Sequence, residues 1–267
     1  MSWIDAFILG IVQGLTEFLP VSSSGHLEIG QELLGTGGEH MTFTLIVHAA
    51  TVLSTIVIFW YEVMRLLRGT FATPRWNDEK DFVTKILISM IPVGIVGIFF
   101  EKQVESFFGG KLWFVGVCLL FTAFLLAFSE WIQKKRKSAG HEVRYIDAAA
   151  IGLAQACAVL PGLSRSGATI ATGLLCGVRK EVVAQFSFLM VLIPIMGESL
   201  LKAWKIYSGP ERLDIGIMPA IIGFVAAFIA GCFACRFMIE IVRRQHLVWF
   251  AIYCAIIGSV AIIAEFC

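Results

Sequence analysis

Two short stretches of this sequence hold residue types that could do chemistry on an anion. The first runs from Gln13 through Glu17 and Pro20 to Ser22, Ser23, Ser24, Gly25 and His26. Gln13 and Glu17 are four apart, so a helix presents both side chains on one face. Pro20 breaks that helix, and three hydroxyls and an imidazole follow. An acid, several hydroxyl nucleophiles and a base in so short a run suit attack by a hydroxyl with proton transfer. The second stretch reads Leu160, Pro161, Gly162, Leu163, Ser164, Arg165, Ser166, Gly167, Ala168, Thr169. A guanidinium flanked by hydroxyls and glycine at a helix start matches the forked geometry of phosphate recognition. Helix N-termini with free N–H groups favour anions, so phosphate is the expected ligand.

Each of these residues has a plainer reading. Ser22, Ser23 and Ser24 are good N-caps, and at least one is expected to be only that. A lone histidine such as His26 is usually satisfied by a backbone carbonyl, and Glu17 could sit at a water interface or cap a helix. Arg165 could snorkel to an interface, which explains its charge but not the serines, glycine and threonine around it. Glu17 in an apolar segment costs several kcal/mol unless it faces a polar cavity, which makes an intramembrane acid a functional residue by default. His48 and Glu198, inside or near apolar runs, are expected to face the same wet interior, ranked below the motif residues.

The elements that must position these residues are membrane helices. Hydrophobic residues make up 58% of the chain and charged ones 15%, against about 25% charged in soluble domains, and the mean hydropathy is +0.82. The formal charge of +1 provides no field to recruit nucleic acid. Residues Met1 to Leu9 lack a basic leader, so no removable signal peptide is expected. The cysteines lie mostly in apolar runs without metal-binding spacing, and Cys232 and Cys235 read as small packing residues. Six stretches are long and apolar enough to span: Phe43 to Leu67, Val83 to Phe100, Leu112 to Ile132, Val182 to Trp204, Ile217 to Phe237 and Leu247 to Phe266. The regions 3–34 and 145–178 are apolar too, but each is interrupted midway by Pro, Gly and hydroxyl residues.

A fixed offset of 142 residues aligns the two interrupted regions without gaps, matching Gly10, Gln13, Ser22, Ser24 and Gly25 with Gly152, Gln155, Ser164, Ser166 and Gly167. The chain therefore reads as an internal repeat, about 1–133 and 144–267, each half one broken segment followed by three spans. An odd number of crossings brings the second half in from the opposite side, which makes the repeat inverted and the broken segments re-entrant hairpins. Lys and Arg concentrate in residues 65–85, 134–144, 179–180 and 236–246, which are expected to be cytoplasmic, leaving both termini outside. Glycine pairs at 94 and 97 and at 223 and 231 would permit close helix packing. The expected fold is all-α: six transmembrane helices plus two re-entrant helical hairpins that meet at a wet cavity.

Gln-Gly-Leu-Thr-Glu-Phe-Leu-Pro-Val-Ser-Ser-Ser-Gly-His from Gln13 to His26 resembles the (E/Q)xxxE and PxSSxGH motifs of the undecaprenyl-diphosphate phosphatase (bacitracin resistance) family. Pro161 to Thr169 resembles that family's PGxSRSxxT motif, and the similarity runs along the chain in order and spacing. Gln13 stands where glutamate is the other option, which leaves Glu17 as the sole carboxylate of the pair. The type 2 phosphatidic acid phosphatases fit worse, since their pattern needs a histidine where this chain has Ala171.

The resemblance implies hydrolysis of undecaprenyl diphosphate to the monophosphate carrier of peptidoglycan synthesis in the bacterial inner membrane, with the site open to the outer face. It also implies a divalent cation, Mg or Ca, for which Glu17 is the one ligand assigned, and a homodimer. Ser23 is expected to attack, chosen over its neighbours mainly by the family match, with Glu17 or His26 accepting its proton and Arg165 neutralising the phosphoryl group. Gln13, Ser22, Ser24, Gly25, Ser164, Ser166, Gly167 and Thr169 are expected to support the substrate. A different class stays open, because inverted repeats of broken helices also build transporters, here of a polyprenyl-phosphate lipid.

Overall fold

The computed structural model describes residues 1–36, 41–72, 74–107, 112–136, 140–208, 215–244 and 247–266. In chain order the helices are α1 Trp3–Phe18, α2 Ser23–Leu33, α3 Met41–Ile58, α4 Trp60–Phe71, α5 Asp78–Phe99, α6 Glu101–Glu105 and α7 Leu112–Lys135. They continue with α8 Tyr145–Cys157, α9 Arg165–Cys176, α10 Lys180–Met190, α11 Leu192–Tyr207, α12 Ile217–Arg244 and α13 Leu247–Phe266. The described residues are helix and connecting loop, with one isolated bridge between His141 and Val178.

Local chemistry sets the helix ends. Ser2 and Asp5 form a capping box that starts α1, and Asn77 caps α5 ahead of Asp78, Glu79 and Asp81 in its first turn. The serine runs start α2 and α9, with Ser22 and Ser164 as N-caps. Glycine stops α9, where Gly177 adopts a φ of 94°.

Among the described residues five segments are long and apolar enough to cross a membrane, six if the bent pair α3 and α4 counts as one. The stretch Phe43 to Leu67, expected as one helix, is two, bent by 78° at Phe59. In α4, Glu62, Arg65 and Arg68 recur every three residues, a charged stripe that hydrocarbon would not accommodate, so this helix leaves the direction of α3. Trp60 and Tyr61 stand exposed at the bend, as aromatic residues do at a membrane–water boundary. The stretch expected from Val182 to Trp204 likewise divides at Val191 into α10 and α11, with Pro194 in the first turn of the latter.

Close packing gives the bundle its crossing pattern. α1 packs on α12, α8 on α5 and α7 on α13, so each half leans its broken segment on a long helix of the other half. Glycines allow this: a Cβ on Gly10 would lie 2.6 Å from the Gly223 carbonyl, and one on Gly116 would lie 2.6 Å from the Gly258 carbonyl. Gly223 and Gly231 serve this internal contact, whereas Gly94 and Gly97 face open space.

Contacts also fix directions. The start of α5 meets the start of α8, where Tyr145 donates to Asp81 at 2.5 Å. Arg136, just beyond α7, donates to the Leu174 and Leu175 carbonyls at the end of α9, and Arg179 pairs with Glu142. Glu130 near the end of α7 accepts the Val248 amide at the start of α13. Most of the described Lys- and Arg-rich segments therefore gather at one end of the bundle. α8 starts at that end and runs beside α5. α1 runs beside α12 toward it, from Gly10 against Gly223 to Gly14 against Ala227. α1 and α8 thus start at opposite ends of the bundle, and the breaks that follow them meet.

Candidate functional site

The meeting of the breaks is a contact between glycines. A Cβ on Gly25 would lie 3.1 Å from the Gly162 Cα and 3.0 Å from Val115, so a side chain there would push the two hydroxyl runs apart. Ser166 bridges them by donating to the Leu19 carbonyl at 3.1 Å, and the Ser164 amide donates to Thr122 Oγ1 at 3.1 Å.

The two helix starts are built alike. Ser22 Oγ accepts from the Gly25 amide at 3.4 Å, and Ser164 Oγ accepts from the Gly167 amide at 3.0 Å. The Ser22 and Ser24 hydroxyls are 3.3 Å apart, as are those of Ser164 and Ser166. With the third amide of each helix used by its cap, the first two amides at each start remain for a ligand: Ser23 and Ser24 in α2, Arg165 and Ser166 in α9. Gly25 and Gly167 contribute close approach, since their own amides are spent on the caps.

One carboxylate joins the halves. Glu17 Oε2 accepts from Ser23 Oγ at 2.5 Å and from Gln13 Nε2 at 2.8 Å, while Oε1 accepts from Arg165 Nη2 at 2.9 Å. His48 Nε2 approaches Oε2 to 3.6 Å, its other ring nitrogen sitting 2.8 Å from the Thr44 carbonyl. The Glu17 side chain is 6% exposed and that of Arg165 23%, so this ion pair works in low dielectric, where attraction is strong but an unmatched charge is costly.

A small polar cleft lies over this cluster, walled by Glu17, Ser22, Ser23, Ser24, Arg165 and Ser166 among others. Its lining of hydroxyls, a guanidinium and two helix starts suits a multiply charged phosphate group. Thr169 stands one turn further along α9, where its hydroxyl donates to the Arg165 carbonyl at 2.9 Å.

His26 stands apart from the carboxylate. Its Nδ1 lies 2.8 Å from the Ser22 carbonyl and its Nε2 2.8 Å from the Tyr253 hydroxyl, with the two rings stacked 5.6 Å apart. Ser22 has a φ of 69°, a left-handed conformation that costs a non-glycine residue about 1–2 kcal/mol, and His26 grips the carbonyl of this turn. Neutral imidazole donating from Nδ1 to that carbonyl leaves Nε2 to accept from Tyr253.

Among the described residues no group of three or more His, Cys, Asp and Glu could hold a metal ion. The oxygen donors near Glu17 include Gln13 Oε1, buried without a hydrogen-bond partner one turn away, which fits a hard cation that takes most of its ligands from elsewhere.

The structure thus brings Gln13, Glu17, Ser23 and Arg165 into direct contact, with Ser22, Ser24, Ser164 and Ser166 around them. His48, expected from its place as a titratable side chain within an apolar helix to face the same interior, does so beside Glu17. The side chain of Glu198 lies outside the described set. Tyr253 had no signal, being one tyrosine in an apolar run.

A family model described as bacitracin resistance protein BacA matches residues 6–260. The chain is 55% identical over 267 residues to an undecaprenyl-diphosphatase of Bacteroides thetaiotaomicron, covering 99% of this chain and 100% of that protein. It is 55% identical over 264 residues to the undecaprenyl-diphosphatase of Parabacteroides distasonis, covering 98% of each. At greater distance it is 39% identical over 265 residues to that of Halothermothrix orenii, again covering 98% of each.

Proposed function

This chain belongs to the BacA family of bacitracin resistance proteins, and we propose that it is an undecaprenyl-diphosphatase, returning the lipid monophosphate carrier for peptidoglycan synthesis. The observation that carries the mechanism is the shared carboxylate, since Ser23 from one break and Arg165 from the other both bond Glu17.

In this reading the terminal phosphate of the lipid diphosphate sits between the two helix starts, facing their free amides and Arg165. Ser23 Oγ attacks the terminal phosphorus as its proton passes to Glu17. The bond to the bridging oxygen breaks, and the lipid monophosphate leaves with that oxygen and the proton from Glu17. Water then attacks the phosphoserine, giving a proton to Glu17. The P–Oγ bond breaks, Ser23 recovers the proton, and inorganic phosphate departs. Glu17 is the proton acceptor because it holds the Ser23 hydroxyl, whereas both ring nitrogens of His26 are engaged in holding the Ser22 turn.

A divalent cation, Mg or Ca, belongs to the proposal. Glu17 and Gln13 Oε1 would be this chain's donors to it. Such an ion would offset the diphosphate charge when bound.

The proposed architecture is an inverted repeat of two re-entrant hairpins with six spans in the inner membrane. The basic end of the bundle lies in the cytoplasm by the positive-inside rule, both termini lie outside, and the hydroxyl cleft opens to the outer face. A homodimer is proposed from the resemblance alone.

The test is phosphate release from a polyprenyl diphosphate by purified protein in detergent, with and without divalent cation, beside Arg165→Ala and Glu17→Ala. Release by wild type that vanishes in both variants is expected. Lipid binding with no release under any cation would move the assignment to a lipid transporter.

A further inference from the structure

Beside the Glu17 and Arg165 pair lies a second cavity, more apolar than the first, lined by Glu17, Arg165, Ser166, Gln155, Thr169 and Ser187 among others. Gln155 is 1% exposed and Ser187 is 3% exposed. Both amide atoms of Gln155 and the hydroxyl of Ser187 lack a protein hydrogen-bond partner. Buried polar groups left so cost about 1–3 kcal/mol each, and proteins keep them where something else answers them.

The helix geometry puts these groups at one level. Gly173 of α9 is wedged against Ile151 of α8 and Val183 of α10, an apolar layer. One turn nearer the breaks in each helix stand Thr169, Gln155 and Ser187, so a polar layer follows the apolar one directly. The space there admits a water or two, and it offers the two to four polar partners that a buried water needs.

Arg165, with Glu17 and Ser166, lines both this cavity and the hydroxyl cleft. Its guanidinium carries five donors in a rigid plane, and Glu17 takes one edge through Nη2. The repeat supplies a parallel: Gln13 fixes Glu17 at 2.8 Å, and Gln155, its equivalent at the offset of 142, faces the cavity at Arg165.

We propose that Gln155 and Ser187 hold a buried water that orients the Arg165 guanidinium, making Gln155 a positioning residue for phosphoryl transfer. Glu17 and this water brace the fork from two edges, and the remaining donors point to the phosphate. The inference rests on the phosphatase reading and deepens it.

The test measures kcat and KM for phosphate release in Gln155→Leu, Ser187→Ala and the double variant, each also in an Arg165→Lys background, with unfolding temperatures alongside. Gln155→Leu is expected to lower kcat about tenfold and Ser187→Ala about threefold with KM within about twofold, as misplacing a charge-stabilising group does. The double variant should lose no more than Gln155→Leu alone, because both hold one water. In the Arg165→Lys background the loss from Gln155→Leu should disappear. An unchanged kcat in folded Gln155→Leu, or an equal fold-loss in the Arg165→Lys background, overturns the proposal. If Gln155→Leu does not fold, Ser187→Ala carries the same comparison. Wild type that releases no phosphate overturns the phosphatase reading, and the site is then decided by a high-resolution structure. Ordered water on Gln155 and Ser187 supports it, and a dry cavity overturns it.

Discussion

Glu17 Oε1 and Arg165 Nη2 lie 2.9 Å apart although 148 residues separate them, and this pair ties the two breaks into one site. Removing Arg165 leaves a carboxylate that is 6% exposed without its cation, and such an uncompensated buried charge costs about 3–5 kcal/mol. Arg165→Ala should therefore lower the unfolding temperature in detergent, and adding Glu17→Gln should recover part of the loss because it removes the stranded charge. Arg165→Lys keeps the charge but loses the planar fork, so its activity should stay well below wild type. A double variant no more stable than Arg165→Ala alone would show that the pair carries no net stabilisation.

Among the described residues Ser23 is the one hydroxyl that donates to the Glu17 carboxylate. Ser23→Ala should lower phosphate release at least about a thousandfold, as loss of a nucleophile does, while lipid binding persists. Ser22→Ala and Ser24→Ala should each cost far less, about tenfold, since they remove a cap or a support. Parallel phosphate-release assays on the three variants decide the order, and equal losses would show that the serine run acts only as a cap.

The sequence carried much of this site because its chemistry is local. Glu17 follows Gln13 by one helical turn, and the Pro and Ser residues mark the break. The offset of 142 residues pairs Ser164 with Ser22 and predicts the matched caps that the structure displays. Other features depend on packing and were not legible. Nothing near Phe59 announces a bend of 78°, because the apolar run continues past it and the stripe of Glu62, Arg65 and Arg68 resembles a membrane-edge flank. His26 sits in the motif like a catalytic base, yet its partner Tyr253 comes from the last helix, 227 residues away.

Tyr253 and His26 hold the strained Ser22 turn together. Tyr253→Phe keeps the stacked ring and removes one hydrogen bond, so it should cost about 1 kcal/mol of stability or less and leave kcat within about threefold. His26→Ala releases the Ser22 carbonyl as well, so kcat should fall much further than in Tyr253→Phe. A kcat for Tyr253→Phe as low as that of His26→Ala would place the tyrosine hydroxyl in the chemistry itself.

If Glu17 and Gln13 hold a divalent cation, chelation should suppress phosphate release and added Mg or Ca should restore it. Gln13→Leu should raise the cation concentration needed for half-maximal rate about tenfold, since one oxygen donor is lost. A titration unchanged in Gln13→Leu would remove that side chain from the cation's shell and leave it as a brace for Glu17.

Gly14 connects the bundle to the chemistry. It lies between Gln13 and Glu17 on α1, and a Cβ there would come within 2.5 Å of the Ala227 carbonyl and 2.7 Å of the Ala230 Cβ on α12. Backbone cannot yield as a flexible side chain does, so Gly14→Ala must lift α1 off α12, an overpacking that costs about 1–3 kcal/mol. The same displacement carries Glu17 away from Arg165, which is fixed in the other half. Gly14→Ala should therefore lower kcat about tenfold or more, because misplaced charge costs rate steeply. Gly94→Ala is the matched control, since nothing lies within 4 Å of a Cβ there, and its activity and unfolding temperature should equal wild type. Full activity in Gly14→Ala would mean that α1 can shift on α12 without moving the carboxylate, and the contact between those two helices would then be structural alone.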